Sequence, residues 1–270
     1  MSAYTEPKFA WEPVTPHGVA AFARASLERL VVVQSIFALL AAAVVVWLLS
    51  AGFFPTVKQA IATLPDQGEI TRGQLVFPES ATPPAKLLAE GHFLAISLDP
   101  DNSHRLRSPA FFQLEFNHDS LVVISLLGEL ELPYPADQAF YFNRKDLLPA
   151  WDAWAPDILG LTAIGLFIGL FVTWWLLASL YFLPVWLVAY FTDRQLNFRE
   201  AWKLAAAALL PGAMLLTLGL ALFGVGGFDL VQLAFAFTMH LIIGWIYLLV
   251  SPMFLDRVVP AEKKNPFAAG

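Results

Sequence analysis

Cysteine is absent from this chain, which removes disulfides, thiol nucleophiles, zinc fingers and iron–sulfur clusters together. Charge is scarce as well. Only 14% of the 270 residues are Asp, Glu, Lys or Arg, against 58% hydrophobic, and the mean hydropathy is +0.62. That is not the balance of a soluble globule. Also missing are HExxH, GxSxG and a Gly-Lys-Ser/Thr phosphate loop, so no catalytic residue, cofactor site or metal site is predicted, and the chain is read as a non-enzyme.

What is present is long apolar runs. Residues 1–28 mix Pro7, Trp11, Pro13 and Pro16 with charges and read as a cytoplasmic tail on the membrane surface. Residues 29–54 hold a stretch without charge from Leu30 to Phe54, long enough at ~1.5 Å per residue to cross a ~30 Å hydrocarbon core. Its polar leader is too long for a cleaved signal peptide, so a retained signal anchor is expected. Residues 157–251 hold three more spans. The first, Ile158 to Phe191, is expected to end near Leu183 at Pro184 and continue as an interfacial piece carrying Trp186 and Tyr190. Residues 192–203 form a polar loop, followed by Leu204 to Phe223 with Pro211-Gly212 inside, a hairpin at Gly224–Gly227, and Leu230 to Val250. Residues 252–270 are a polar tail.

Residues 55–156 differ in kind. Leu114 and Phe116 alternate with Gln113 and Glu115, and Leu130 and Leu132 with Glu129 and Glu131, the period of half-buried strands. Leu94, Ile96 and Leu98 form another such face, and Leu121 to Leu127 reads as a central strand. Asn117-His118-Asp119 fits a hairpin turn. Helices are predicted at Thr56 to Leu64, at Pro84 to Glu90, and from an Asn143 cap towards Trp154. The expected fold is an α-helical transmembrane bundle of about four helices with an inserted small α+β extracytoplasmic domain.

Basic residues set the orientation. Lys8, Arg24 and Arg29 precede the first span, Arg194, Arg199 and Lys203 follow the second, and Arg257, Lys263 and Lys264 follow the last. The hairpin at Gly224 has none, and the inserted domain carries seven basic against thirteen acidic residues. Both termini are therefore expected in the cytoplasm and the domain outside, in a bacterial inner membrane.

Two intramembrane features stand out. Gly165 and Gly169, with Gly160 a turn away, have the spacing that lets helices approach closely in lipid. His240, near the middle of the last span, is an ionisable group at costly depth; it is either a functional residue or a neutral one bonded to Thr217, Thr173 or Gln34 on another helix. His92, His104 and His118 show no ligand spacing. Asp99-Pro100-Asp101-Asn102 lacks the pattern of a calcium loop and reads as a solvated turn, Arg105 and Arg107 read as surface charges, and Trp151, Trp154, Trp174 and Trp175 as interfacial or packing residues.

Leu64-Pro65 followed by Glu69-Ile70 and Gly73-Gln74-Leu75, and the stretch from Gln195 to Ala201 leading through Leu204-Ala205-Ala206 to Leu210-Pro211, resemble an uncharacterised family of bacterial polytopic membrane proteins. That family is distantly similar to the Yip-type membrane proteins of vesicle traffic. Yip-type proteins have more spans and no large external domain, and this chain departs on both counts. The resemblance implies no activity and transfers no functional residue; some members of the bacterial family are associated with sugar uptake. Besides the lipid bilayer, the expected partner is another membrane or envelope protein, with no nucleic acid. The function expected first is an accessory or scaffold protein whose external domain binds that partner, and second a component of a solute transport system.

Overall fold

The computed structural model describes residues 11–78, 83–103 and 105–257. The readings that involve Pro7, Lys8, His104 and the tail from 258 onward lie outside them. Four helical stretches are long and apolar enough to cross a membrane, spanning Leu27–Ala62, Arg144–Phe191, Phe198–Gly224 and Leu230–Phe254. Two small sheets lie between the first and the second. The chain divides into two units, the first made of residues 1–41, 166–219 and 234–270, the second of residues 42–165 and 220–233.

The first unit is helical. Helix α1 (Pro16–Ala21) opens on a Thr15 cap, whose hydroxyl accepts the Gly18 amide at 3.0 Å, with Pro16 in the first position. Val19, Ala20, Phe22 and Ala23 are buried here, so this stretch is a packed element rather than the surface tail expected. It joins a core with the first half of α2 (Leu27–Leu48), the second half of α4 (Arg144–Phe191) and α5 (Phe198–Ala208). Helix α5 begins on a capping box between Asn197 and Glu200. Ala201 and the run Ala205–Ala208 are fully buried, because a methyl-sized side chain is what lets neighbouring helices close up without a larger residue to accommodate. Leu209 interrupts the helix before α6 (Leu210–Gly224), which takes Pro211 in its first turn, where a missing N–H costs nothing. The last helix, α7, has the predicted bounds, Leu230–Val250.

The basic segments of this unit meet. Arg24 pairs with Glu200 and donates to the Gln195 carbonyl at 2.9 Å. The Gln195 amide donates to the Asp256 carbonyl at 3.2 Å, and Arg194 bridges to Arg257. The segment before α2, the loop before α5 and the segment after α7 are thus in mutual contact.

Helix α4 corrects an expectation. It runs 48 residues without a stop, through Pro149, Pro156 and Pro184, instead of ending near Leu183. Each proline removes one backbone donor, yet the helix continues past all three.

In the second unit, α2 passes through one wide turn (Leu49–Phe53) into α3 (Phe54–Ala62), with Pro55 in its first turn. A three-stranded sheet, in the order β2-β1-β8, is made by β1 (Glu69–Thr71), β2 (Gln74–Val76) and β8 (Phe140–Tyr141). A five-stranded sheet takes β3 (Lys86–Glu90), β4 (Leu94–Asp99), β5 (Phe112–Asn117), β6 (Ser120–Ser125) and β7 (Gly128–Pro133) in that order. Neighbours are antiparallel except β4 and β5, which run parallel and need a crossover, residues 100–111.

Two further expectations are overturned. Pro84 to Glu90 is not a helix: Lys86–Glu90 pairs with β4 as an edge strand, its helix-favouring Lys, Leu, Ala and Glu overridden by the ladder. On β5 the predicted burial is inverted. Gln113, Glu115 and Asn117 are the buried side chains, while Leu114 and Phe116 are half-buried. The edge strand β7 alternates as predicted, but all six of its residues are exposed.

Candidate binding site

The inversion on β5 has a cause on each face of the sheet. On one face, the crossover between β4 and β5 lies over both strands, and its described residues, 100–103 and 105–111, form no helix, so their backbone groups need partners. The sheet supplies them. Gln113 accepts the Ser108 amide at 3.1 Å and donates to the Leu106 carbonyl at 3.1 Å and to Ser97 Oγ at 3.0 Å. Ser103 Oγ donates to the Asp99 carboxylate at 3.0 Å, and Arg107 stands 4.0 Å from Glu115 and 3.2 Å from Glu129. Asp99 is fully buried, not part of a solvated turn; only Asp101 and Asn102 of that stretch are exposed. This polar face holds the crossover down.

On the other face, Leu94, Ile96 and Leu98 of β4 continue through Phe112, Leu114 and Phe116 of β5. Helix α3 covers part of it with Val57, Ala60 and Ile61, and Leu64, just past the end of the helix, extends the same stripe. Between them is a cleft of about 330 Å³. Its third wall is Phe140 and Tyr141 of β8 with Phe142, and Leu147 from the first turns of α4. Leu88 reaches it through an irregularity in the β3–β4 register between Leu87 and Ala89, which re-aims one side chain inward.

The walls are tied together by polar contacts outside the cleft. Asn143 caps α4, accepting the Asp146 amide at 3.0 Å and donating to the Gly68 carbonyl at 3.3 Å. Arg144 pairs with Asp66 at 2.7 Å, and Lys58 of α3 with Asp152 of α4 at 2.7 Å. The Tyr134 hydroxyl donates to the Asn117 carbonyl at 3.2 Å, and within the cleft wall the Phe116 and Phe142 rings meet at a tilt, 4.8 Å apart. Burial, with the Asp119 carboxylate second, holds the Tyr134 phenol above its usual range. Among the described residues that line the cleft, Tyr141 alone has a side-chain heteroatom, so what the cleft recognises, it recognises by burying apolar surface.

The residues singled out in the sequence lie elsewhere. His240 is half-buried and its Nδ1 meets the Phe237 carbonyl of its own helix, not Thr217, Thr173 or Gln34. Thr217 bonds back to Ala213, and Gln34 accepts the Trp175 indole N–H at 3.1 Å. Among the described residues, a Cβ placed on Gly160, Gly165 or Gly169 would meet nothing within 4 Å. Gly212 makes one instead: a Cβ there would overlap the His240 carbonyl. His92 lies between Phe93 and Phe111, with ring centroids 4.9 and 5.0 Å away. Trp174 is buried, Trp151 packs on Phe54 and Trp154 is exposed. Among the described residues, no three His, Asp or Glu side chains are grouped to hold a metal.

Comparison with family models, with curated proteins and with solved structures gave no match for this chain.

Proposed function

We propose that this chain is a four-span protein of the bacterial cytoplasmic membrane, with both termini inside and the sheet-bearing unit outside. In this reading it is a non-enzymatic accessory protein whose outer unit binds an apolar segment of another membrane or envelope protein. The observation that carries the binding role is the cleft between α3 and the five-stranded sheet, closed by β8 and the start of α4 and almost without polar groups. The membrane reading is supported by the apolar stripe left bare along α4, including Leu161, Ile164, Ile168, Val172, Leu176 and Leu180. The topology is supported by the contacts among the three basic segments, which the charge rule assigns to one side of the membrane.

A photo-crosslinking residue at Tyr141, 68% exposed at the cleft wall, should capture one discrete protein in native membranes. Filling the cleft with Leu114→Trp should abolish that capture while the protein stays folded. A partner-free protein that moves or converts a small molecule in liposomes would overturn this reading in favour of transport. The transport alternative rests on the interruption at Leu209 and on His240 beside Gly212.

A further inference from the structure

Along one end of the five-stranded sheet, strand directions line up four apolar side chains. Strands β4 and β5 both start at this end, from Leu94 and Phe112, which places Phe93 and Phe111 there. Strand β6 returns and finishes at Ser125, opposite Phe112 and paired with Gly128 of β7, so the two-residue turn Leu126-Leu127 lies at the same end. With neighbouring strands ~4.8 Å apart, the turn stands within about 10 Å of Phe111.

The first two members of this row are covered. Phe93 and Phe111 pack on Phe223, in the last turn of α6, at 5.0 and 5.2 Å, in a cluster that includes Leu48 at the end of α2. The other two are bare: Leu126 is 66% exposed and Leu127 93%. Their turn is built to hold them out. Ser125 Oγ accepts the Leu127 amide at 3.2 Å, and Gly128 takes φ +124°, a conformation that favours glycine. Turns of this length ordinarily carry Asn, Asp or Gly at the tip. A rigid pair of leucines projecting at the level where two apolar helices end is placed against whatever surrounds those helix ends.

We infer that the β6–β7 turn is a membrane-interface anchor, with Leu126 and Leu127 buried at the headgroup–acyl boundary of the bilayer that α2 and α6 cross. This rests on the membrane-spanning reading proposed above and adds a lipid contact to the outer unit, besides the helices that run into it. The occupant is lipid rather than a protein because the turn continues a row whose other half is seated on the helix ends.

The test uses the full chain in phosphatidylethanolamine–phosphatidylglycerol liposomes. Since the chain has no cysteine, Leu127→Cys, Asp119→Cys and Ile168→Cys each carry one thiol for an environment-sensitive fluorophore. Asp119 lies at the opposite end of the sheet, and Ile168 on the bare stripe of α4. The label at Leu127 should emit to the blue of that at Asp119 and be quenched by shallow nitroxide lipids, as should the one at Ile168. Quenching at Ile168 with a water-exposed label at Leu127 overturns the anchor alone. Water-exposed labels at both overturn the membrane-spanning reading, and the anchor with it.

Discussion

Gly212 on α6 lies against the backbone of His240 on α7, so close that a Cβ at Gly212 would overlap the His240 carbonyl oxygen. In lipid, helices associate through this kind of close packing rather than through the hydrophobic effect. Gly212→Val should therefore force α6 and α7 apart and cost about 1–3 kcal/mol, the usual range for overpacking. Thermal unfolding in detergent measures it. Gly165→Ala and Gly169→Ala, which meet open space, should be neutral or gain up to about 1 kcal/mol from helix propensity.

His240→Leu should leave abundance and thermal stability unchanged, because among the described residues the imidazole bonds to the Phe237 carbonyl of its own helix and to no other helix. Quantitative blotting of membranes checks this. Retained abundance with a lost phenotype would promote the transport reading.

Alkaline pH should weaken the sheet unit through Tyr134. Its phenol is held above its usual range by burial first and Asp119 second. From the ordinary tyrosine value of about 10 upward, the unfolded chain gives up this proton while the folded one keeps it. Stability from this group is therefore complete below about pH 10 and declines as pH rises towards the folded value. Tyr134→Phe should flatten that part of the profile, read by denaturant unfolding at pH 8 and pH 11.

Single cysteines at Ser103 or Asp137 should label with an impermeant maleimide in intact cells, and one at Asn197 should not. Labelling at Asn197 from outside would overturn the four-span topology.

What could be read from the sequence depended on whether the deciding signal was local. Helix α7 has its predicted bounds because a run without Asp, Glu, Lys or Arg is closed by Gly227 and Asp229 on one side and Pro252 on the other. The Asn143 cap and the hairpin at Asn117–Asp119 were legible for the same reason. Lys86–Glu90 was not, because pairing with β4 outweighs its helical composition. The burial of Gln113 and Glu115 depends on a crossover whose path no alternation pattern encodes. The candidate site was the least legible part. Its walls come from α3, the sheet and the chain around Phe140 to Leu147, and Leu88 enters only through a register irregularity. The packing glycine was visible beside Pro211, but spacing alone drew attention to Gly165 and Gly169.

The five-stranded sheet has the same order in space as in the chain. Each strand can therefore pair with the one made just before it, across a loop that is long only between β4 and β5. Strand β8 is the exception, since Phe140 and Tyr141 pair with Ile70 and Glu69 across the whole intervening sequence. As the chain emerges, the sheet has what it needs to assemble strand by strand before α4 is synthesised. Phe140, Tyr141, Phe142 and Leu147 arrive afterwards. The cleft is the last part of the unit to come into existence, and a chain interrupted before residue 140 would carry a sheet with nothing yet to bind.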